Sequence, residues 1–320
     1  MVAFTSNPKT KIAFVAWRRL SRRTTLLCKA LDVELWYFPD RLPYLRAAYR
    51  TFNSVRKNRP KILLIQLPQG PLLLQALLLR IFFGCKIVAD VHSGFLMEWE
   101  WKSYLLNAPF RRLLRHADQV LIHNSAMKEL LSNGTKDKTL VVYDPWPLIE
   151  VIPSKGNDGD YLVFPASYHP DEPLEEVLAC IQKNFPEIRL YVTGDWRRRP
   201  SVKKYESKNV IFTGFLSPED YEDLIAGAKA IISGTKEEYT ALMSAWEAVA
   251  HGKPLILSDS KALRETLEDY PSYYDYNDPR SIKEAIERIG DIQPYSSARE
   301  ALLRKTMASL DVLKSELARW

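Results

Sequence analysis

Residues Ala230 to Glu265 read AIISGTKEEYTALMSAWEAVAHGKPLILSDSKALRE. Ala230 to Ser233 has the length and apolarity of a buried strand, and Thr240 to Ala250 then repeats its apolar residues at helical spacing. Pro254 to Leu257 is the next strand. A strand, a helix and a strand in this order predict parallel pairing through a crossover. A helix beginning near Tyr239 or Thr240 aims its free N–H groups back at the strand's C-terminal edge, where doubly wound sheets hold ligands. A diphosphate resting on the Thr240, Ala241 and Leu242 amides needs no glycine-rich loop, and Glu247 follows about two turns on.

The alternation extends outward from this segment. On its N-terminal side it predicts strands at Tyr161 to Phe164, Ile188 to Val192 and Val210 to Thr213, with helices at Leu174 to Asn184 and Pro218 to Ala228. Further upstream it predicts strands at Lys11 to Trp17, Val33 to Tyr37, Lys61 to Leu67, Cys85 to Asp90, Gln119 to His123 and Thr139 to Tyr143. Helices fall at Thr25 to Leu31, Leu45 to Lys57, Leu72 to Phe83 and Pro109 to His116, with a short one at Ser125 to Leu131. Turn formers from Pro145 through Pro153 to the polar run ending at Asp160 place a boundary there. Three parts are expected: residues 1–150, residues 151–295, and a helix over 296–320 that packs back on the first domain.

Glu247 to Ile256, with its Glu-Ala-Val-Ala-His-Gly-Lys-Pro run, resembles the signature of the group 1, glycogen-synthase-like glycosyltransferases of GT-B fold. Phe212 to Leu216, Ser167 to Pro173 and Val192 to Gly194 support the resemblance over about residues 160–270, by motif order and spacing. It implies an α/β fold, GT-B, with two doubly wound Rossmann-like domains facing a cleft. It also implies retaining transfer of a sugar from a nucleotide-sugar donor to a hydroxyl, independent of metal and cofactor, the donor being a co-substrate. Glu247 would bind the donor ribose, with Gly194, Phe215, Leu216, Tyr239, Thr240, Ala241 and Leu242 around the donor.

The sequence departs from the family pattern twice. The second glutamate of the family, eight positions before Glu247, is replaced by Tyr239, and glutamates occur instead at Glu237 and Glu238, as a sugar-binding carboxylate or a solvated pair; Glu238 is the catalytic candidate. The family's arginine and lysine after the Tyr161 strand are replaced by Ala166, Ser167 and Glu172. A departing nucleoside diphosphate needs a cation, and Arg197, Arg198 and Arg199 follow a strand end; Arg197 is the first candidate. His92, in Asp90-Val91-His92-Ser93-Gly94 at another strand end, is similar to the family's active-site histidine. Arg18, Arg22 and Arg23 follow the first strand and are expected to hold a phosphate-bearing acceptor.

Composition bounds the partners. The chain has 320 residues and a net charge of +6, but residues 1–150 hold 23 Lys/Arg against 11 Asp/Glu and residues 151–320 hold 22 against 28. A basic first half attracts phosphates or an anionic membrane surface, and Phe95 to Arg115 mixes Trp99, Trp101, Tyr104 and Phe110 with arginines, as either an interfacial contact or a helix packed in the domain core does. The expected acceptor is a glycan or a lipid diphosphate, in cell-surface polysaccharide or glycan synthesis. No RRM, KH or helix-turn-helix signature accompanies the arginines, which argues against nucleic acid. Cys28, Cys85 and Cys180 have no paired spacing, and Met1 to Lys11 lacks an apolar run, so a cytoplasmic protein is expected, with a peripheral membrane contact. Polar and turn residues interrupt Ile62 to Phe83, which reads as strand, turn and buried helix, with a lipid-facing helix the alternative, rather than a membrane span. Asp158-Gly159-Asp160 reads as a turn rather than a metal site. Two other functions fit the motifs: a GT-B sugar-nucleotide epimerase or phosphorylase, and a non-catalytic nucleotide-sugar-binding module.

Overall fold

Alternation of strand and helix is realised twice in the structure, a computed structural model that describes residues 11–97, 101–151, 159–290 and 295–320, with backbone alone at 101–104 and 295. Residues 1–10, Trp99, the 152–158 part of the linker with Pro153 and Asp158, and the side chains of Trp101 and Tyr104 lie outside the described residues. The chain divides into a first unit, Met1–Leu148 with Thr306–Trp320, and a second, Ile149–Lys305.

The first unit holds β1 (Ile12–Trp17), β2 (Glu34–Phe38), β3 (Ile62–Leu67), β4 (Lys86–Val91), β5 (Gln119–Ile122) and β6 (Thr139–Val141), in the order β2-β1-β3-β4-β5-β6. The second holds β7 (Tyr161–Pro165), β8 (Arg189–Thr193), β9 (Val210–Gly214), β10 (Ala230–Ser233), β11 (Leu255–Ser258) and β12 (Ser272–Tyr274), in the order β12-β11-β10-β7-β8-β9. Every pairing in both sheets is parallel. Both faces of a parallel sheet are covered, so its strands are apolar throughout; β3, ILLIQL, is buried along its whole length. Phe14, Leu27, Leu64, Val88 and Leu121 form one core with Leu310, Leu313 and Leu317 of the last helix, Tyr295–Ala318. Burial of one such side chain contributes roughly 1.5–3 kcal/mol.

Several elements depart from expectation. The helix expected from Thr240 begins at Met243, because Thr240 to Leu242 are extended or irregular and Leu242, at φ −113°, occupies the cap position. The helix expected at Pro109 is an α-helix over Trp101–Arg111 continued by a 3-10 turn, Arg112–His116. The helix read as buried, found at Gly70–Phe83, is buried on one face only: Leu74 and Ile81 on the other face are 42% and 73% exposed. Helices Lys261–Leu267 and Pro279–Glu287 and strand β12 are additional to the pattern, and each of these helices has its own cap, Ser260 and Asp278. Among the described residues no helix is long and apolar enough to cross a membrane.

His123 sits in the first unit, 6% exposed, with Nδ1 2.9 Å from the Asn124 amide. Burial pushes its imidazole down to about 4, so the folded unit holds the ring neutral while an unfolded chain protonates it near pH 6.5. A lowered histidine stabilises fully above the unfolded value and loses that stability as pH falls toward the folded one. The urea midpoint should fall between about pH 6.5 and pH 4, by the equivalent of roughly 3 kcal/mol at most. His123→Gln should flatten that part of the profile.

Candidate functional site

In the second sheet the strand order reverses between β7 and β10, so the loops leaving their C-terminal ends diverge and open a crevice. Gly194 ends β8 at φ +86°, and a Cβ there would lie 2.2 Å from the Ala166 carbonyl oxygen. Only glycine lets the two strand ends approach this closely. Glu172 sets the loop after β7: its buried carboxylate accepts hydrogen bonds from the Ser167 amide (2.8 Å), the Ser167 hydroxyl (2.7 Å) and the Tyr168 amide (2.8 Å). Burial nonetheless raises its pKa, outweighing those bonds. Where the family places cations, this loop thus carries a carboxylate consumed by its own backbone.

Beyond that loop His169 pairs through Nδ1 with Asp171, whose other oxygen accepts from Thr235 (2.6 Å) on the segment after β10. Glu237 follows, its amide bonded to the Thr235 hydroxyl at 3.1 Å, and burial together with the Asp171 charge raises its pKa. Glu238 points elsewhere. Its carboxylate accepts from the Lys261 amide at 2.9 Å and its carbonyl from Ala262 at 2.9 Å, so it serves the N-terminus of Lys261–Leu267. The catalytic candidate of the sequence reading is therefore occupied, and the carboxylate beside His169 and Asp171 is Glu237.

Because the helix starts at Met243, the amides at its N-terminus belong to Met243 and Ser244 rather than to Thr240, Ala241 and Leu242. The Ser244 hydroxyl lies 2.7 Å from that of Ser233 at the end of β10. Thr240 is buried, whereas Tyr239, Ala241 and Leu242 are half-buried. One turn further, Glu247 is 6% exposed and accepts a 2.6 Å hydrogen bond from the Tyr221 hydroxyl. Tyr221 stands on Pro218–Ala226, a helix capped by the Ser217 side chain with proline at its first turn. A second pair, His251 Nε2 to Glu222 at 2.7 Å, ties the same two helices. Gly252, at φ +63°, ends Met243–Ala250 and lets the chain turn into β11. The Glu-Ala-Val-Ala-His-Gly-Lys-Pro run is thus a carboxylate, an anchor and a helix stop. Tyr221 escaped the sequence reading because it lies 26 residues from its partner.

Gly214, at φ +73°, ends β9, and Phe215 after it is 78% exposed, with Leu216 half-buried. The three arginines after β8 have separate fates. Arg199 pairs with Glu175 at 3.0 Å, and Arg198 reaches the Ser167 carbonyl at 3.4 Å. Arg197 is 73% exposed, 3.4 Å from Asp195, with its guanidinium 5.1 Å from the Trp196 ring centre.

In the first unit the order reverses between β1 and β3, and Gln66 fastens the loop after β1. Its side chain donates to the Arg19 carbonyl (2.8 Å) and accepts from the Ser21 amide (3.1 Å) and the Thr24 hydroxyl (2.8 Å). Arg18 and Arg22 on this stretch are exposed. Arg23 is not available to an acceptor: it is buried, donating to Asp90 at 3.0 Å, Asp144 at 2.8 Å and the Val142 carbonyl at 2.8 Å. The other Asp90 oxygen lies 3.1 Å from His92 Nε2. Burial alone would raise the Asp90 pKa, but the Arg23 charge and the His92 hydrogen bond hold it well below the usual range. His92 is thus a strand-end imidazole oriented by a carboxylate whose pKa the Arg23 charge holds down.

Residues 162–291 match the family described as Glycosyl transferases group 1. The whole chain is similar to HepE of Anabaena, solved in complex with UDP and glucose, at TM-score 0.75 and 11% identity over 98% of this chain and 100% of that one. Sucrose-phosphate synthase from Thermosynechococcus elongatus gives TM-score 0.73 and 14% identity over 96% and 98%. A glycosyltransferase from Rickettsia africae gives 0.71 and 14% over 98% and 99%. Likeness at such identities shows the fold, here the GT-B architecture. No curated protein matches the chain in sequence. The close approach at Gly194 is directly testable: Gly194→Ala should destabilise the protein by about 1–3 kcal/mol, read from the urea midpoint.

Proposed function

With a group 1 glycosyltransferase domain over residues 162–291 and the GT-B architecture over the whole chain, we propose that the protein moves a hexose from a nucleotide-sugar donor to an acceptor hydroxyl, with retention at the anomeric carbon and without a metal. The observation that carries the reading is Glu247: a buried carboxylate at the family's donor-binding position, held by the Tyr221 hydroxyl at 2.6 Å. An ionised carboxylate accepts from two ribose hydroxyls at once, and its anchoring in the fold lowers the entropy lost when donor binds.

The remaining assignments follow from placement at the sheet edge. Exposed Phe215 stacks on the base, with Leu216 beside it, and Gly194 lets the backbone approach the donor. The Met243 and Ser244 amides and Arg197 take the diphosphate. Glu237 accepts from sugar hydroxyls. As the anomeric bond to diphosphate breaks, charge accumulates on the leaving group, and positive groups held in place stabilise it more than they stabilise the ground state. The acceptor oxygen bonds to the anomeric carbon from the same face as the bond to diphosphate breaks, and the acceptor's proton passes to the departing diphosphate oxygen. In the first unit His92, oriented by Asp90, positions the acceptor or the transferred sugar, and Arg18 and Arg22 hold a phosphate on the acceptor. A lipid diphosphate or glycan of cell-surface polysaccharide synthesis fits that charge.

HepE, solved with UDP and glucose, makes a UDP-hexose the first donor to test. Bound donor should raise the melting temperature of the wild-type protein, and Glu247→Ala should abolish both that shift and transfer. Tyr221→Phe should raise the donor KM about fivefold at nearly constant kcat, the cost of one hydrogen bond. Arg197→Ala should lower kcat by about 100-fold with a smaller change in donor affinity. Free epimer or sugar phosphate without transfer would overturn the assignment, as would unchanged transfer by Glu247→Ala.

A further inference from the structure

Between Asp40 and Asp90 the chain carries nine Lys/Arg and no acidic residue. This stretch includes two of three neighbouring helices, Leu45–Asn58, Gly70–Phe83 and Trp101–Arg111. The helices are joined side by side. Gln75 donates to the Ala48 carbonyl at 2.7 Å, the Phe52 and Phe83 rings lie 5.9 Å apart, and the Gly70 amide donates to Asn107 at 3.1 Å.

Each helix turns apolar side chains outward at helical spacing. On Leu45–Asn58 these are Leu45, Tyr49 and Phe52, at 73%, 69% and 37% exposure. On Gly70–Phe83 they are Leu74, Leu78, Ile81 and Phe82, the last two both 73% exposed. Leu105 and Leu106 continue the surface at 60% and 62%. Exposed Arg46, Arg50, Arg56, Lys57 and Arg59 lie on or directly after the first helix, and Arg59 stacks 4.5 Å from the Phe83 ring centre.

We propose that this outer face of three helices docks on an anionic lipid bilayer. Aliphatic and aromatic side chains at the surface, beside exposed cations of which Arg50 lies 3.6 Å from Asp40, are the composition that inserts to headgroup depth. A second copy of the chain fits worse, because a two-fold contact would set the same cations against each other. Nucleic acid would answer the cations but leave Leu74, Ile81 and Phe82 in water. With 14 residues, Gly70–Phe83 is too short to span and lies along the surface. The proposal goes beyond the transfer reaction and is tested without donor or acceptor, so either reading can fail alone.

The test is flotation of the full chain with vesicles of phosphatidylcholine containing about one third phosphatidylglycerol, against phosphatidylcholine alone. Binding is expected to the anionic vesicles and to weaken at least about tenfold near 0.5 M salt. Ile81→Ser combined with Phe82→Ser, and separately Arg46→Glu combined with Arg50→Glu, should each weaken binding about tenfold or more at unchanged melting temperature. No binding by the wild-type chain, equal binding to neutral vesicles, or binding untouched by both variants would overturn the proposal. So would a soluble dimer, seen by light scattering, that the Ile81 and Phe82 variant dissociates.

Discussion

Parallel pairing constrains everything else in this molecule. Two parallel strands cannot be joined by a hairpin, so each strand passes into a crossover and helices cover both sheet faces. All strand exits then fall on one edge of the sheet. In the second unit this gathers the loop of Ser167 and Glu172, the turn at Gly194, the turn at Gly214 and the segment from Thr235 to Ser244, drawn from some eighty positions of chain. In the first it gathers the Arg18 to Arg22 loop and the His92 turn. The glycines at β8 and β9 have positive φ because they end strands where the backbone must turn at close quarters.

Buried carboxylates then give those loops fixed shapes. Glu172 folds the loop after β7 around itself through three hydrogen bonds, Glu247 joins two helices through Tyr221, and Asp90 joins Arg23 to His92. For two of them the environments shift the pKa in opposite directions. Asp90 faces a buried guanidinium that overcomes its desolvation, whereas Glu172 has only neutral donors and burial prevails. Within each unit, charged groups divide between those paired inside the fold, Arg23 in the first and Arg199 in the second, and exposed ones, Arg18 in the first and Arg197 in the second.

The charge asymmetry of the sequence also acquires a place. The basic excess of the first half includes an acid-free stretch across two adjacent helices. The segment Phe95 to Arg115, which composition marked as interfacial, contributes Leu105 and Leu106, while Phe110 packs against Gly70. Most of the exposed apolar surface instead comes from Gly70–Phe83. That helix is apolar nearly all round, so periodicity could not show which side meets the sheet.

The sequence alone determined the class of fold, the parallel alternation and most strand positions, because apolar runs of strand length and helical spacing are local signals. It also singled out Glu247 as a candidate, because its neighbours form one contiguous motif ending in a helix stop. Residues 258–290 were less legible: short elements leave little periodicity, although Ser260 and Asp278 are ordinary caps. Only the tertiary structure decided which charged side chains are buried in pairs and which are exposed. Arg22 and Arg23 are adjacent in sequence, yet Arg23 is buried between Asp90 and Asp144, residues 67 and 121 positions away. Glu237 and Glu238 are likewise adjacent, and the start of a distant helix takes one of them. Adjacent residues on a turn or helix point in different directions, and what each meets is set by segments the fold brings from elsewhere.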